Sequence, residues 1–319
     1  MSENYLWDRS GEPEPDIVRL EQVLGELRWS NRAQTRAPHL PWLRREGWWT
    51  MAAAAAAMLC LGGAYFVQTM QDRPVTSWQL SLAGQKPIAV RRGQIIETQA
   101  TARATVESQF VGEVQIEPNS RLRIVESHDD RQQMALDHGT IHAVIWAPPT
   151  RFVVDTPSAK TVDLGCQYTL SVAKDGTGFL TVEMGWVAFQ WHNIESFIPA
   201  GATCTTRPGH GPDTPHFLDA PASLTKAVAE FDLTGSNKAL TAALASARPH
   251  DGLTLWHLLQ RTKGPERAEV FDRFAELVKL PANLTREGIL SGDPKSMDAA
   301  WDALDLGDTN WWREWKRQW

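Results

Sequence analysis

The sequence predicts a three-part architecture: a single transmembrane helix, an all-β domain built as a twisted sandwich or solenoid-like stack, and an all-α bundle at the C-terminal end. Three observations carry this. No charged residue stands between Glu46 and Asp72, period-two alternation dominates from about 78 to 218, and helical spacing returns over 222–319. At 319 residues the chain is long enough for about two domains with cores of their own. Its 38 acidic against 32 basic residues give a net charge of −6, which supplies no general field for polyanions, so no direct nucleic-acid contact is expected.

The transmembrane helix is placed at 47–68, GWWTMAAAAAAMLCLGGAYFVQ. As a helix, Gly47 to Val67 would reach about 32 Å, against a hydrocarbon layer of roughly 30 Å. A cleaved signal peptide would start near the first residue, whereas 46 residues with several charges precede this run. The stronger rival is a buried helix, because the alanines Ala52 to Ala57 make the run only weakly hydrophobic. The flanks favour the span. Arg28, Arg32, Arg36, Arg44 and Arg45 stand before it, and a similar window after it holds only Arg73 and Lys86, which keeps the N-terminal side cytoplasmic. Arg44, Arg45, Trp48 and Trp49 form the membrane flank against lipid, and Cys60 lies within the apolar layer.

Residues 1–46 contain EPEPDIVRLEQVLGELRW, in which Ile17, Leu20, Val23, Leu24 and Leu27 share one helical face behind Pro13 and Pro15. One short amphipathic helix cannot bury its own stripe. The stripe meets the membrane surface, a copy of itself or a partner protein, or else the helix frays without one.

Over 78–218 the clearest strand is TVDLGCQYTLSV, where Val162, Leu164, Cys166, Tyr168, Leu170 and Val172 point one way and Asp163, Gly165 and Gln167 the other. KDGTG and FLTVEM complete a hairpin. ARATV, GEVQIE, RLRIVES, TIHAVIW, RFVVDT, GWVAFQW and ESFIPA read as further short strands. Gly93, Gly112, Gly139 and Gly185, each before apolar residues, hint at a loose repeat of irregular spacing.

Over 222–319, ASLTKAVAEFDL, NKALTAALASA, LTLWHLLQR, PERAEVFDRFAELVKL and KSMDAAWDAL are amphipathic helices joined at Pro and Gly. The final WWREWKRQW puts Trp312, Trp315 and Trp319 on one face beside Arg313, Lys316 and Arg317. It could lie on a membrane surface, but packing against the preceding helices is preferred because the bundle needs apolar partners.

The residue chemistry points to a non-enzyme, with no catalytic, cofactor-binding or metal-binding residues and no cofactor expected. Cys166 alternates in phase with apolar residues, and a thiol facing a core is inert. On the far side of a membrane, Cys166 and Cys204 are the only cysteines in an oxidising space, which makes a disulfide between them possible if their Cα atoms approach within about 7 Å. His138 and His142 would share a face in a helix, but GTIHAV reads as strand. His210 and His216 with Cys204 have no ligand spacing, Asp129 and Asp130 suit a hairpin turn, and no phosphate-cradling glycine loop precedes a helix.

In order along the chain, RGQIIET, ARATV, VGEVQIEPNSRLRI, LDHGTIHAVI, FVVDTPSAKTVDLGCQYTLSV, GWVAF and FIPAGA resemble the FecR domain of bacterial transmembrane regulators over roughly 85–205. The resemblance implies a FecR-like β domain in the periplasm and one inner-membrane helix. It also implies a cytoplasmic segment that engages an extracytoplasmic-function sigma factor, and so an anti-sigma or sigma-regulator role in transcription. The Ile17 to Leu27 helix is the part matched to sigma binding. The short N-terminal segment and purely helical C-terminal part depart from that family's pattern, so an iron-uptake signal is not carried over. The rival reading is a membrane-anchored envelope structural or binding protein with a non-catalytic β domain.

Overall fold

The computed structural model describes Val18 and residues 78–82, 86–128 and 131–307. The chain divides into two compact units, Met1–Gln71 and Asp72–Trp319, and all the described residues except Val18 belong to the second. The run at 47–68 lies outside the described residues. Among those residues no helix is long and apolar enough to cross a membrane.

The strands among the described residues are β1 (Gln79–Leu82), β2 (Ile88–Ala89), β3 (Ile95–Glu97), β4 (Ala104–Ser108), β5 (Gly112–Ile116), β6 (Arg121–His128), β7 (Arg131–Ile145) and β8 (Phe152–Asp155). They continue as β9 (Lys160–Asp163), β10 (Gln167–Val172), β11 (Gly178–Met184), β12 (Trp186–Trp191), β13 (Ile194–Pro199), β14 (Ala202–Arg207), β15 (Gly211–Pro212) and β16 (His216–Phe217). The alternation read from TLSV and GEVQI reappears as alternating burial along β10 and β5. The expected hairpin is β10–β11, with Leu170 opposite Leu180.

All strands pair antiparallel except β7 with β8. The strands form one continuous sheet whose two halves share β7, and this explains its 15-residue length. Its first half pairs with β6 and β8, whereas Gly139 to Val144 pairs with β10, and Ile141 to Ile145 with β5. The change of partners falls at Gly139, with φ +105°; a Cβ there would stand 2.3 Å from Ser120 Cα, so only glycine lets the strand turn so close to its neighbour. Ser120 Oγ accepts the next N–H, from Thr140, at 2.9 Å.

Helices follow the strands, as the return of helical spacing predicts: α1 (Ala222–Thr234), α2 (Asn237–Ser246), a 3₁₀ turn (Pro249–Asp251), α3 (Gly252–Arg261), α4 (Gly264–Leu277), α5 (Arg286–Ser291) and α6 (Pro294–Asp302). Ser236, Thr285 and Asp293 cap α2, α5 and α6 by accepting the N–H of Ala239, Gly288 and Ser296. The helices do not build a core apart from the sheet. One apolar cluster runs from Trp78 to Trp301 through both. α3 is buried on every side from Gly252 to Leu259, and its polar members there are satisfied, Thr254 by donating to Pro215 O at 3.0 Å and His257 by the Phe197 N–H.

Candidate functional site

β13 ends the sheet path, and an edge strand offers backbone groups that must be covered. α3 covers it. Phe197 N–H donates to His257 Nε2 at 3.0 Å, and the other ring nitrogen, Nδ1, lies 2.9 Å from Leu253 O, to which it donates. The imidazole is therefore neutral with a fixed tautomer, and burial, with the Arg261 charge adding to it, holds its pKa down to about 3. Around it, Phe197, Trp256 and Trp301 form an aromatic cluster, with Trp301 5.6 Å from Phe197, 4.6 Å from Trp256 and 5.8 Å from Trp186.

One turn further along α3, Arg261 closes the seam. Its Nη2 donates to Ser196 Oγ at 2.7 Å, Asp213 O at 2.9 Å and Pro212 O at 3.0 Å, while Nη1 lies 3.5 Å from Asp232 Oδ1. Asp232, in α1, also accepts the N–H and hydroxyl of Thr214 at 2.7 and 2.8 Å. Arg207 Nη1 donates to Asp213 Oδ1 at 2.5 Å. Burial, then the Asp232 charge, push the Asp213 carboxyl up to about 6 against the pull of Arg207 and Arg261. Two cations, two carboxylates and a set of carbonyls thus tie three strands to two helices. Sequence reading missed this network; the signal for it was Asp232 and Arg261 at the ends of otherwise apolar helical runs.

Beside the seam a cleft of ≈ 810 Å³ opens between the β12–β13 turn and helices α3 and α6. Gln190, His192, Asn193 and Glu195 line it from the turn, Trp256, Leu259 and Gln260 from α3, and Pro294, Met297 and Asp298 from α6. Arg267 also lines it, but its Nε donates to Thr262 O at 2.8 Å and its Nη1 to Leu290 O at 3.3 Å, so its charge holds the C-terminal ends of α3 and α5 together. Amides and carboxylates over an apolar floor suit binding.

A second polar cluster lies where the chain crosses between the halves of the sheet. The run read as one strand at TVDLGCQYTLSV is β9, a corner and β10. Asp163, expected to face outward, is buried: its Oδ1 accepts Gly165 N–H at 2.7 Å and its Oδ2 accepts the Cys166 thiol. The corner packs on the β11–β12 crossover so closely that a Cβ on Gly185 (φ +72°) would stand 2.1 Å from Gly165 O. Burial pushes the Asp163 carboxyl up to about 7 against those two hydrogen bonds. Burial also raises the Cys166 thiol and the Tyr168 phenol well above their usual ranges, with the Asp163 charge adding to both. The Tyr168 hydroxyl is buried with no hydrogen-bond partner among the described residues.

This placement decides the fate of the candidate residues. A catalytic thiol needs a depressed pKa, and Cys166 has the reverse. The disulfide considered from sequence is replaced by two separate buried thiols, Cys166 on Asp163 and Cys204 on Asp213 O at 3.2 Å. The register explains it. Cys204 stands in line with Leu180 and Leu170, two strand spacings or about 10 Å from β10, and Cys166 lies four residues before Leu170, in the corner that precedes β10. His138 and His142 fall on either side of Gly139, in different halves of the sheet. His142 Nδ1 lies 2.8 Å from Thr169 Oγ1, and its Nε2 3.5 Å from Glu117. His216 pairs with Thr203. Among the described residues no group of His, Cys, Asp and Glu could hold a metal ion. Asp129, Asp130, Ile17, Leu20, Val23, Leu24, Leu27, Arg44, Arg45, Trp48 and Trp49 lie outside the described residues; Val18, beside the stripe, is helical and 42% exposed.

Residues 94–188 match the family model described as FecR protein. The matched span starts just before β3 and ends inside β12, so it contains the shared strand, the corner and both crossover glycines. Two crystal structures of a candidate anti-sigma factor from Parabacteroides distasonis ATCC 8503, at 1.65 and 2.50 Å resolution, are similar to this chain, each with 15% identity and a TM-score of 0.35 over 43% of it. The chain spans 65% and 64% of those two chains, under two thirds of their length. No curated protein matches it.

Proposed function

We propose that this chain is a single-pass regulator of the bacterial inner membrane that passes an envelope signal to a cytoplasmic extracytoplasmic-function sigma factor. The match of residues 94–188 to the FecR family model carries the reading. Residues 1–46 sit in the cytoplasm, where Ile17, Leu20, Val23, Leu24 and Leu27 contact the sigma factor. Residues 47–68 cross the bilayer behind Arg44, Arg45, Trp48 and Trp49. The β part (78–218) and the helical part (222–319) face the periplasm and receive the signal. Two things support this from the chain itself: the arginine asymmetry around 47–68, and a described unit whose polar clusters are built into structure and not into a reactive site. The signal acts by changing the accessibility of the stripe, which requires a ligand or partner that binds two states of the protein differently.

Reporter fusions at each end of the full chain test the topology: cytoplasmic activity at the N-terminal end and periplasmic activity at the C-terminal end are expected. Capture with residues 1–46 tests the partner. A sigma factor is recovered, and Leu20→Asp with Leu24→Asp abolishes recovery. Correct topology without any captured sigma factor would instead favour an anchored envelope-binding protein.

A further inference from the structure

The cleft between the β12–β13 turn and α6 has an occupant within the same chain. We propose that segment 308–319, DTNWWREWKRQW, docks into it, tryptophans on the floor and cations on the rim. This does not depend on the sigma-factor reading.

Where the described chain ends supplies the first argument. Gly307, with φ +101°, places its Cβ direction 3.6 Å from Trp186 Cζ2, at the start of β12. The far part of the same strand, at Gln190, is a wall of the cleft. That wall lies four residues along β12, about 13 Å away, and four extended residues after Gly307 cover the same distance. The cleft mouth is therefore within the chain's reach at Trp311 and Trp312.

Chemistry supplies the second. The floor is the half-buried Met297 lying over the buried Trp256 and Leu259, continuous with the Trp186–Trp301 aromatic cluster, and Ile194 stands 37% exposed at its edge. Indoles bury large apolar area while keeping an N–H for a polar rim, and such anchors dominate the energy of small interfaces. Gln190, Asn193 and Gln260 offer amide partners to those N–H groups. The rim carries the carboxylates Glu195 and Asp298, and the segment carries Arg313, Lys316 and Arg317 against Asp308 and Glu314, a complementary balance. The only cation lining the cleft among the described residues, Arg267, is held on backbone carbonyls and does not oppose it.

The test uses the full chain in nanodiscs. Hydrogen exchange is compared between wild type, a chain stopped after Gly307, and Trp311→Ala with Trp312→Ala. Both variants are expected to raise exchange at residues 190–195 and 294–298 by about tenfold or more, with β7 and β10 unchanged as the control for folding. A photo-crosslinking residue in place of Ile194 is expected to join segment 308–319, with severalfold lower yield after Glu195→Lys and Asp298→Lys. Unchanged exchange at those residues, or crosslinks from position 194 to lipid alone, would overturn the proposal and return the segment to the membrane surface.

Discussion

Two buried polar sites in this molecule solve the same problem in opposite ways. At the seam between sheet and helices, charges are kept and paired: Arg261 reaches Ser196, Pro212, Asp213 and Asp232, and Thr214 completes Asp232. At the corner between β9 and β10 the Asp163 carboxyl is paired with no guanidinium among the described residues. It accepts from a thiol and one backbone N–H, so burial wins and its proton is retained up to about pH 7. The difference teaches where a buried carboxylate can stay charged. A guanidinium brings several donors in a fixed fork, whereas a thiol is one weak donor that cannot replace lost hydration.

The comparison breaks most visibly at Arg261. Arg261→Ala leaves the buried Asp232 carboxylate with Thr214 alone among the described residues and removes the donor from Ser196 Oγ and the Pro212 and Asp213 carbonyls, and is expected to cost about 3–5 kcal/mol in urea unfolding, the range for removing one partner of a buried ionic network. A loss below about 1 kcal/mol would mean water already serves these groups.

Next in size is the pH response, which has opposite sign at the two sites. Asp163 has a folded pKa above its unfolded value of 3.8, so its stabilising proton is fully present below about pH 4 and lost as pH rises through about 7. His257 has a folded pKa near 3, below its unfolded 6.5, so its contribution is complete above about pH 6.5 and lost as pH falls toward 3. Asp163→Asn should therefore gain on wild type by a few kcal/mol between pH 4 and pH 8. His257→Gln should lose its deficit as pH falls from 7 to 4. Parallel pH profiles for wild type and either variant would remove that group from the account. Asp213, raised to about 6, opposes His257 within the seam, so each histidine profile is measured against Asp213→Asn as well.

Smaller, and of opposite sign to most core changes, is Tyr168→Phe. It deletes a buried hydroxyl without a partner among the described residues, so the variant is expected to match or exceed wild-type stability by up to about 1 kcal/mol. Destabilisation beyond that would reveal a water held at the corner. Thiol counting sharpens the corner further. In denaturant without reductant all three cysteines, Cys60, Cys166 and Cys204, are expected to react, and in native protein Cys166 and Cys204 only at the rate of opening.

Much of the fold was legible because periodicity is a local property. Val162 to Val172 announces a buried face whatever its neighbours do, and LTLWHLLQR announces a helix. The seam was not legible in the same way. His257 looks like a polar interruption in an apolar helix until Phe197, 60 residues earlier, is placed against it. Asp163 read as an outward strand residue because the alternation continued through Leu164 and Cys166, and the local mark of the corner was Gly165, whose φ of +86° turns the chain and whose N–H the Asp163 carboxyl accepts.

By itself the sequence determined the order of strand and helix regions, the FecR resemblance over 85–205 and the alternation that buries Cys166. Those follow from side-chain period and turn chemistry, which act over a few residues. Only the tertiary structure decided that β7 serves two halves of the sheet through Gly139, that Cys166 and Cys204 stand apart, and that helices and strands share one core. These depend on register and on which distant faces meet, and long-range pairing is fixed by the joint packing of the chain and not by any one of its segments.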